Sequence, residues 1–260
     1  MAATYTKLIN GITMTENEEF ICESIFNQVR MGFLSISEIK ENIIEEIEDN
    51  GFEEEISKNW AFEKIEQEFK KIIEESKSWK SPTDSEKLIA AFDELCEQNI
   101  IALHNSGYTT SDGEYEVVEV ERTLHENQII SDGYCFYHEQ DLSRAITPEN
   151  SSLYIAFQKV NNSDDEVTLK VGKKVVKILT DKGLEIDWNE DVNSKILIPN
   201  FRWQYLYDDK NRDLQDYNKV AEMIIKKQQP TMYKSNGNKS EKSKDNTNNK
   251  NTSWWKKLWS

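Results

Sequence analysis

Two of the chain's three histidines follow short apolar runs. His104-Asn105 comes directly after Ile100-Ile-Ala-Leu103, and His138-Glu-Gln-Asp141 comes directly after Tyr134-Cys-Phe-Tyr137. Imidazole titrates near neutrality, while carboxylates ligate, orient or accept protons. His104, Asn105, His138, Gln140 and Asp141, joined by Asp112 and Arg144, therefore form a set able to line a binding cleft, hold a metal or do acid–base work. Each member has a structural use as well. Asp112 fits a capping box from Ser111 to Glu114, and Glu139 or Asp141 can cap the next helix. The imidazoles can bond carbonyls at strand ends, and Arg144 can pair with a neighbouring carboxylate. The sequence assigns no metal and specifies no cofactor.

What would bring these residues together is the connection between the two runs. Ile100 to Leu103 and Tyr134 to Tyr137 have strand composition, and Val117, Val120 and Leu124 between them have helical spacing. A helix joining two strands of one sheet makes them parallel, and their carboxyl ends, where ligands bind in open α/β sheets, then share one edge. Further strands are expected at Leu153 to Phe157, Leu184 to Trp188 and Ile196 to Ile198, the last two as a hairpin. Helices are expected through Val167, Val171, Val175 and Ile178, ending at Lys182-Gly183, and through Leu214, Tyr217, Ala221 and Ile224. Ahead of this domain, apolar stripes at helical spacing (Ile21, Ile25, Val29; Ile39, Ile43, Ile47; Phe62, Ile65, Phe69, Ile72; Leu88, Phe92, Leu95) mark amphipathic helices. Ser35 to Glu38 and Thr83 to Glu86 read as capping boxes, and Asn50-Gly51 and Pro82 as breaks.

The stretch from Ile100 through His104-Asn105 to Gly113, followed by Gly133-Tyr-Cys-Phe-Tyr-His-Glu-Gln-Asp-Leu-Ser-Arg-Ala145, resembles an uncharacterised bacterial family, domain of unknown function 6891. The pattern continues in Leu153-Tyr-Ile-Ala-Phe157, Val171-Gly172 and Gly183-Leu-Glu-Ile-Asp-Trp188. The resemblance covers residues 85 to 205, with the preceding helices included. It implies a mixed α and β domain and no particular activity.

Composition limits the function classes. The chain has 260 residues, 48 acidic against 32 basic side chains and a net charge of -16, which disfavours nucleic acid as a partner because phosphate binding draws on clustered lysine and arginine. No phosphate-binding loop, nucleophile elbow or His-Glu-x-x-His helix is present. Three scattered cysteines make no disulfide or zinc pattern, and Cys135 reads as a buried, inert thiol. Trp188 and Trp203 read as core residues. Met1 to Lys7 lacks the apolar run of a signal peptide, so the expectation is a soluble cytoplasmic protein. Charge is unevenly spread: residues 231 to 260 carry seven basic and two acidic side chains, against 23 acidic and 10 basic in the first hundred.

The expected architecture is α+β: an acidic helical region over 1–82, a mixed, sandwich-like α/β domain over 83–229, a disordered polar linker over 230–253 and a Trp/Lys tail over 254–260. Trp254, Trp255, Lys256, Lys257 and Trp259 suit weak contact with an anionic membrane face or with a partner's groove. The reading that follows is a non-catalytic binding or interaction protein of inhibitor or immunity type. It would face a protein partner with a basic surface, with peripheral contact at the inner membrane face through the tail. The alternative is a metal-assisted or acid–base hydrolase using His104 and His138.

Overall fold

A computed structural model describes residues 8–9, 12–147 and 151–228. The expected linker and the Trp/Lys tail lie outside these residues. The protein is α+β. A short antiparallel ribbon, β1 (Leu8–Ile9) and β2 (Ile12–Thr13), precedes the expected helices, so the front is not helical throughout. Then come α1 (Glu16–Met31), α2 (Ile36–Asp49) and α3 (Lys58–Ser76). Thr15 and Ser35 each form a full capping box with the glutamate three residues on, which satisfies backbone N–H groups at the helix starts. Their inward stripes meet in a cluster that includes Ile21, Ile25, Ile39, Ile43, Ile65 and Ile72, all at most 3% exposed.

The second part runs α4 (Asp84–Glu97), β3 (Ile100–Leu103), α5 (Thr110–Glu126), β4 (Gly133–Phe136), α6 (Glu139–Ala145), β5 (Leu153–Gln158), α7 (Asp165–Asp181), β6 (Ile196–Ile198) and α8 (Tyr217–Gln228). The sheet order is β3-β4-β5-β6. β3 and β4 are parallel, with Ala102 opposite Cys135, as a crossover through α5 requires. β5 runs antiparallel to β4, and β6 antiparallel to β5 with Ile196 opposite Ile155. α7 lies over β4 and β5 and against α4, while α8 lies over β3 between α4 and α5. The sheet and these helices enclose the larger core, to which α8 contributes Val220, Ala221, Ile224 and Ile225.

The strand expected at Leu184 to Trp188 is corrected. Only Asp187 pairs, through two backbone hydrogen bonds with Leu197 (2.9 and 3.1 Å), so this is a single bridge and not a hairpin ladder. The run is apolar for another reason. Leu184 is 5% exposed in the main core, and the Trp188 ring sits edge-on to Phe157 over Gly172, where a Cβ would come within 2.6 Å of it.

Candidate functional site

The crossover brings the segments after β3 and β4 to one edge of the sheet and fastens them together. Ser106 N–H donates to Tyr137 O (2.9 Å) and Glu139 N–H to Gly107 O (3.0 Å). Asn105 and Gly107 turn the chain through left-handed conformations (φ 47° and 67°) before α5 begins. The helix starts two residues earlier than the Ser111-to-Glu114 pattern suggests: Thr109 is the cap, and Asp112 closes the box by accepting from Thr109 N–H and Oγ1 (2.8 Å each). Asp112 thus has a capping role, as does His138, whose Nδ1 accepts from Asp141 N–H (3.2 Å) at the start of α6.

Asp141 is the hub of the site. Its side chain is 2% exposed, and three cationic or donor groups surround it: Lys195 Nζ at 2.7 Å, His138 Nε2 at 3.1 Å and Arg144 Nη1 at 3.4 Å. A buried carboxylate is stable only when paired in this way. Because Nδ1 of His138 accepts the Asp141 N–H, the neutral ring carries its proton on Nε2 and donates it to Asp141 Oδ2. Lys195 Nζ donates to the same Oδ2 and lies 2.9 Å from His138 Nε2. Burial holds the His138 pKa below its ordinary value; Asp141 opposes this shift and Lys195 reinforces it. Next to it on α6, Glu139 is pushed up to about 7 by burial and by the negative field of Glu46 on α2.

His104 is placed differently. At 2% exposure it stacks on Phe92 (ring centroids 4.5 Å apart), and its Nδ1 lies 3.1 Å from Tyr137 Oη. Burial, helped by Arg212, lowers its pKa to about 3, so the ring is neutral. Its Nε2 and Asn105 Oδ1 are buried without a hydrogen-bond partner among the described residues. Tyr217 Oη of α8 donates to His104 O (2.9 Å) and Asn105 O (3.1 Å), and Gln215 Nε2 donates to Asn105 O (3.2 Å). The two imidazoles therefore follow neighbouring strand ends but keep separate partners: aromatic rings and α8 around His104, ionic groups around His138. Gln140 sits half-buried on α6, its carbonyl accepting from Ser143 Oγ (3.1 Å).

Beside Asp141 opens a groove of about 430 Å3, lined by Asp141, Arg144, Ser152, Tyr154 and Lys195. Three of these were missed in the sequence. Ser152 directly precedes β5 and Tyr154 is its second residue, and Lys195 directly precedes β6. The lining carries two cations against one carboxylate, in a protein whose overall charge is strongly negative. Among the described residues, no group of three or more His, Cys, Asp or Glu is placed to hold a metal ion, and no helix is long and apolar enough to cross a membrane.

A family model described as Domain of unknown function (DUF6891) matches residues 14–206. The match takes in the preceding helices, as the resemblance implied, and begins at the residue before the α1 cap. No curated protein and no solved structure matches the chain.

Proposed function

Because the chain belongs to the DUF6891 family, whose description carries no activity, we propose a function from the groove itself: a non-catalytic binding protein that takes up an anionic group between Lys195 and Arg144. The observation that carries this reading is the pairing of two cations with one buried carboxylate at the groove wall. Asp141 is enclosed and satisfied, whereas Arg144 is 53% and Lys195 27% exposed by side chain. A guanidinium has five N–H donors and an ammonium three. Both retain donors for a carboxylate or phosphate oxygen arriving from solvent, and Tyr154 supplies an aromatic wall beside them. His138 fixes the carboxylate that orients the lysine, so the ionic group is held ready before a ligand arrives, which lowers the ordering cost of binding.

A hydrolase using both imidazoles would need each of them accessible. His104 is enclosed by Phe92 and Tyr137, and His138 has both nitrogens engaged. Those placements favour binding over acid–base turnover. The partner proposed for this groove is thus a protein or small molecule presenting an acidic group, in place of the basic-faced partner that the net charge suggests.

Inorganic phosphate and acetate serve as probes. Titration of the 15N-labelled protein with each should move the His138 and Arg144 side-chain signals in a saturable way. Lys195→Ala and Arg144→Ala should each weaken the response about tenfold or more, since a hydrogen bond to a charged group contributes about 1.5–3 kcal/mol. Saturable binding that neither substitution weakens would place the anion elsewhere, and an unresponsive groove would remove the proposal.

A further inference from the structure

The outer face of α5 is an unusual surface. Tyr115 is 64% and Val118 45% exposed, one turn apart on the side of the helix turned from the core. The helix carries six acidic residues, of which Glu121 is buried toward the core and Asp112 closes the N-cap box, and a single arginine, Arg122, which pairs with Glu119. An apolar spot framed by carboxylates suits a ligand with both aromatic and cationic groups, and the chain itself contains one. Residues 229–260 carry seven lysines against two acidic residues, and three tryptophans fall within 254–259.

We propose that Trp254–Trp259 docks on its own chain's α5, seating tryptophan on Tyr115 and Val118 with Lys256 and Lys257 against the flanking carboxylates. Position and reach support this occupant. α8 packs along both α5 and α4, starting where Tyr217 meets His104 and ending where Lys227 Nζ bonds Glu97 of α4 (3.1 Å), so the last described residues lie between α4 and α5. The 25 residues from 229 to 253 are enough to reach roughly 28 Å by the square-root scaling of chain length. The 17 residues of α5 span about 26 Å, so the whole helix is within range. Tethering on one chain corresponds to an effective concentration of about 1 mM, at which a contact with a Kd of about 0.1 mM is roughly 90% closed. Weak complementarity therefore suffices in cis. Basic against acidic charge adds to it and makes the contact salt-sensitive. An anionic membrane, by comparison, attracts the tail while repelling the acidic body.

The test uses the full-length chain. Amide spectra of the parent and of the triple variant Trp254→Ala, Trp255→Ala, Trp259→Ala should differ along residues 112–122, and concentrated salt should move the parent spectrum toward the variant. Limited trypsin cleavage after Lys256 and Lys257 should accelerate up to about tenfold in Tyr115→Ser, Val118→Ser, as expected when a contact roughly 90% closed is opened. Both positions are exposed, so that variant is expected to fold. Unmoved α5 signals together with an unchanged cleavage rate would overturn the proposal. So would shifts that fade on dilution, because they would mark docking between copies, and tail signals that respond only to phosphatidylglycerol vesicles, because they would mark a lipid site.

Discussion

At 2% exposure, the His104 ring cannot accept a proton without taking a charge into the core. Its folded pKa of about 3 lies below the unfolded value of about 6.5. The unfolded chain therefore binds the extra proton first, and stability contributed by neutral His104 falls as pH drops from about 6.5 toward 3, with a slope of up to about 1.4 kcal/mol per pH unit. Urea midpoints measured across this window should show a flatter acid limb in His104→Gln; parallel curves would refute the assignment. Glu139 acts in the opposite sense. Its folded pKa of about 7 lies above the unfolded carboxyl value, so the folded state holds the proton longer and stability declines as pH rises from about 4.5 to 7. Glu139→Gln should remove that decline and raise stability at pH 8 by about 1–2 kcal/mol, allowing for partial solvent access. A lower melting temperature at pH 8 would count against it. Neither shift is visible in the sequence. Both side chains follow strand ends, and only the packing of Phe92 over one and the approach of Glu46 to the other distinguish them.

Among the elements, α5 and its approach to β4 decide how tightly the edge is built. Gly113 lies in the first turn of α5, and a Cβ there would come within 2.3 Å of the Phe136 ring and 2.7 Å of Ser106 O. Replacing helical glycine with alanine ordinarily gains about 1 kcal/mol. Here the overlap with a buried ring and a carbonyl outweighs that gain, so Gly113→Ala should lose about 1–3 kcal/mol, measured as a lower urea midpoint. A stabilised variant would show that the loop at Ser106 yields. Capping residues at the helix starts were legible where the box is local, at Ser35 and Thr83, because donor and acceptor are three residues apart. The box before α5 was misplaced because two overlapping patterns exist, and the left-handed turn at Gly107 together with this close approach selects the earlier one. Lys195 was not legible at all. Its carboxylate partner lies 54 residues earlier, and only the antiparallel return of β6 along β5 brings them together.

For the molecule as a whole, the helical front and the sheet domain have separate apolar clusters joined by a narrow seam. Trp203 Nε1 donates to Met31 O (3.1 Å), and Phe33 packs on Trp203 and Tyr205. Gly32 sits in this seam at φ 72°, where a Cβ would meet Tyr205 O at 2.9 Å. Trp203→Ala should cost about 3–5 kcal/mol by cavity formation. Because it loosens the seam while leaving the front's isoleucine cluster intact, it should also divide unfolding into two steps. Coincident transitions in circular dichroism and fluorescence would argue that the two clusters unfold together without the seam. The broad plan, helices first and a sheet after Asn99, was readable because hydrophobic period changes there. The seam was not, since Met31 and Trp203 are distant in sequence and neither belongs to a motif.

The three cysteines are divided between the two parts of the chain. Cys22 is half-buried on α1, while Cys96 and Cys135 lie in the sheet core at 2% and 0% exposure. Burial pushes Cys96 up to about 12 and Cys135 well above the ordinary value, so neither offers a thiolate while the core is closed. A maleimide or a disulfide reagent would thus modify Cys22 first and the other two only when the sheet domain opens. Mass spectrometry of the quenched reaction would then time the opening of the sheet domain against Cys22 as an internal reference, with no substitution made in the chain.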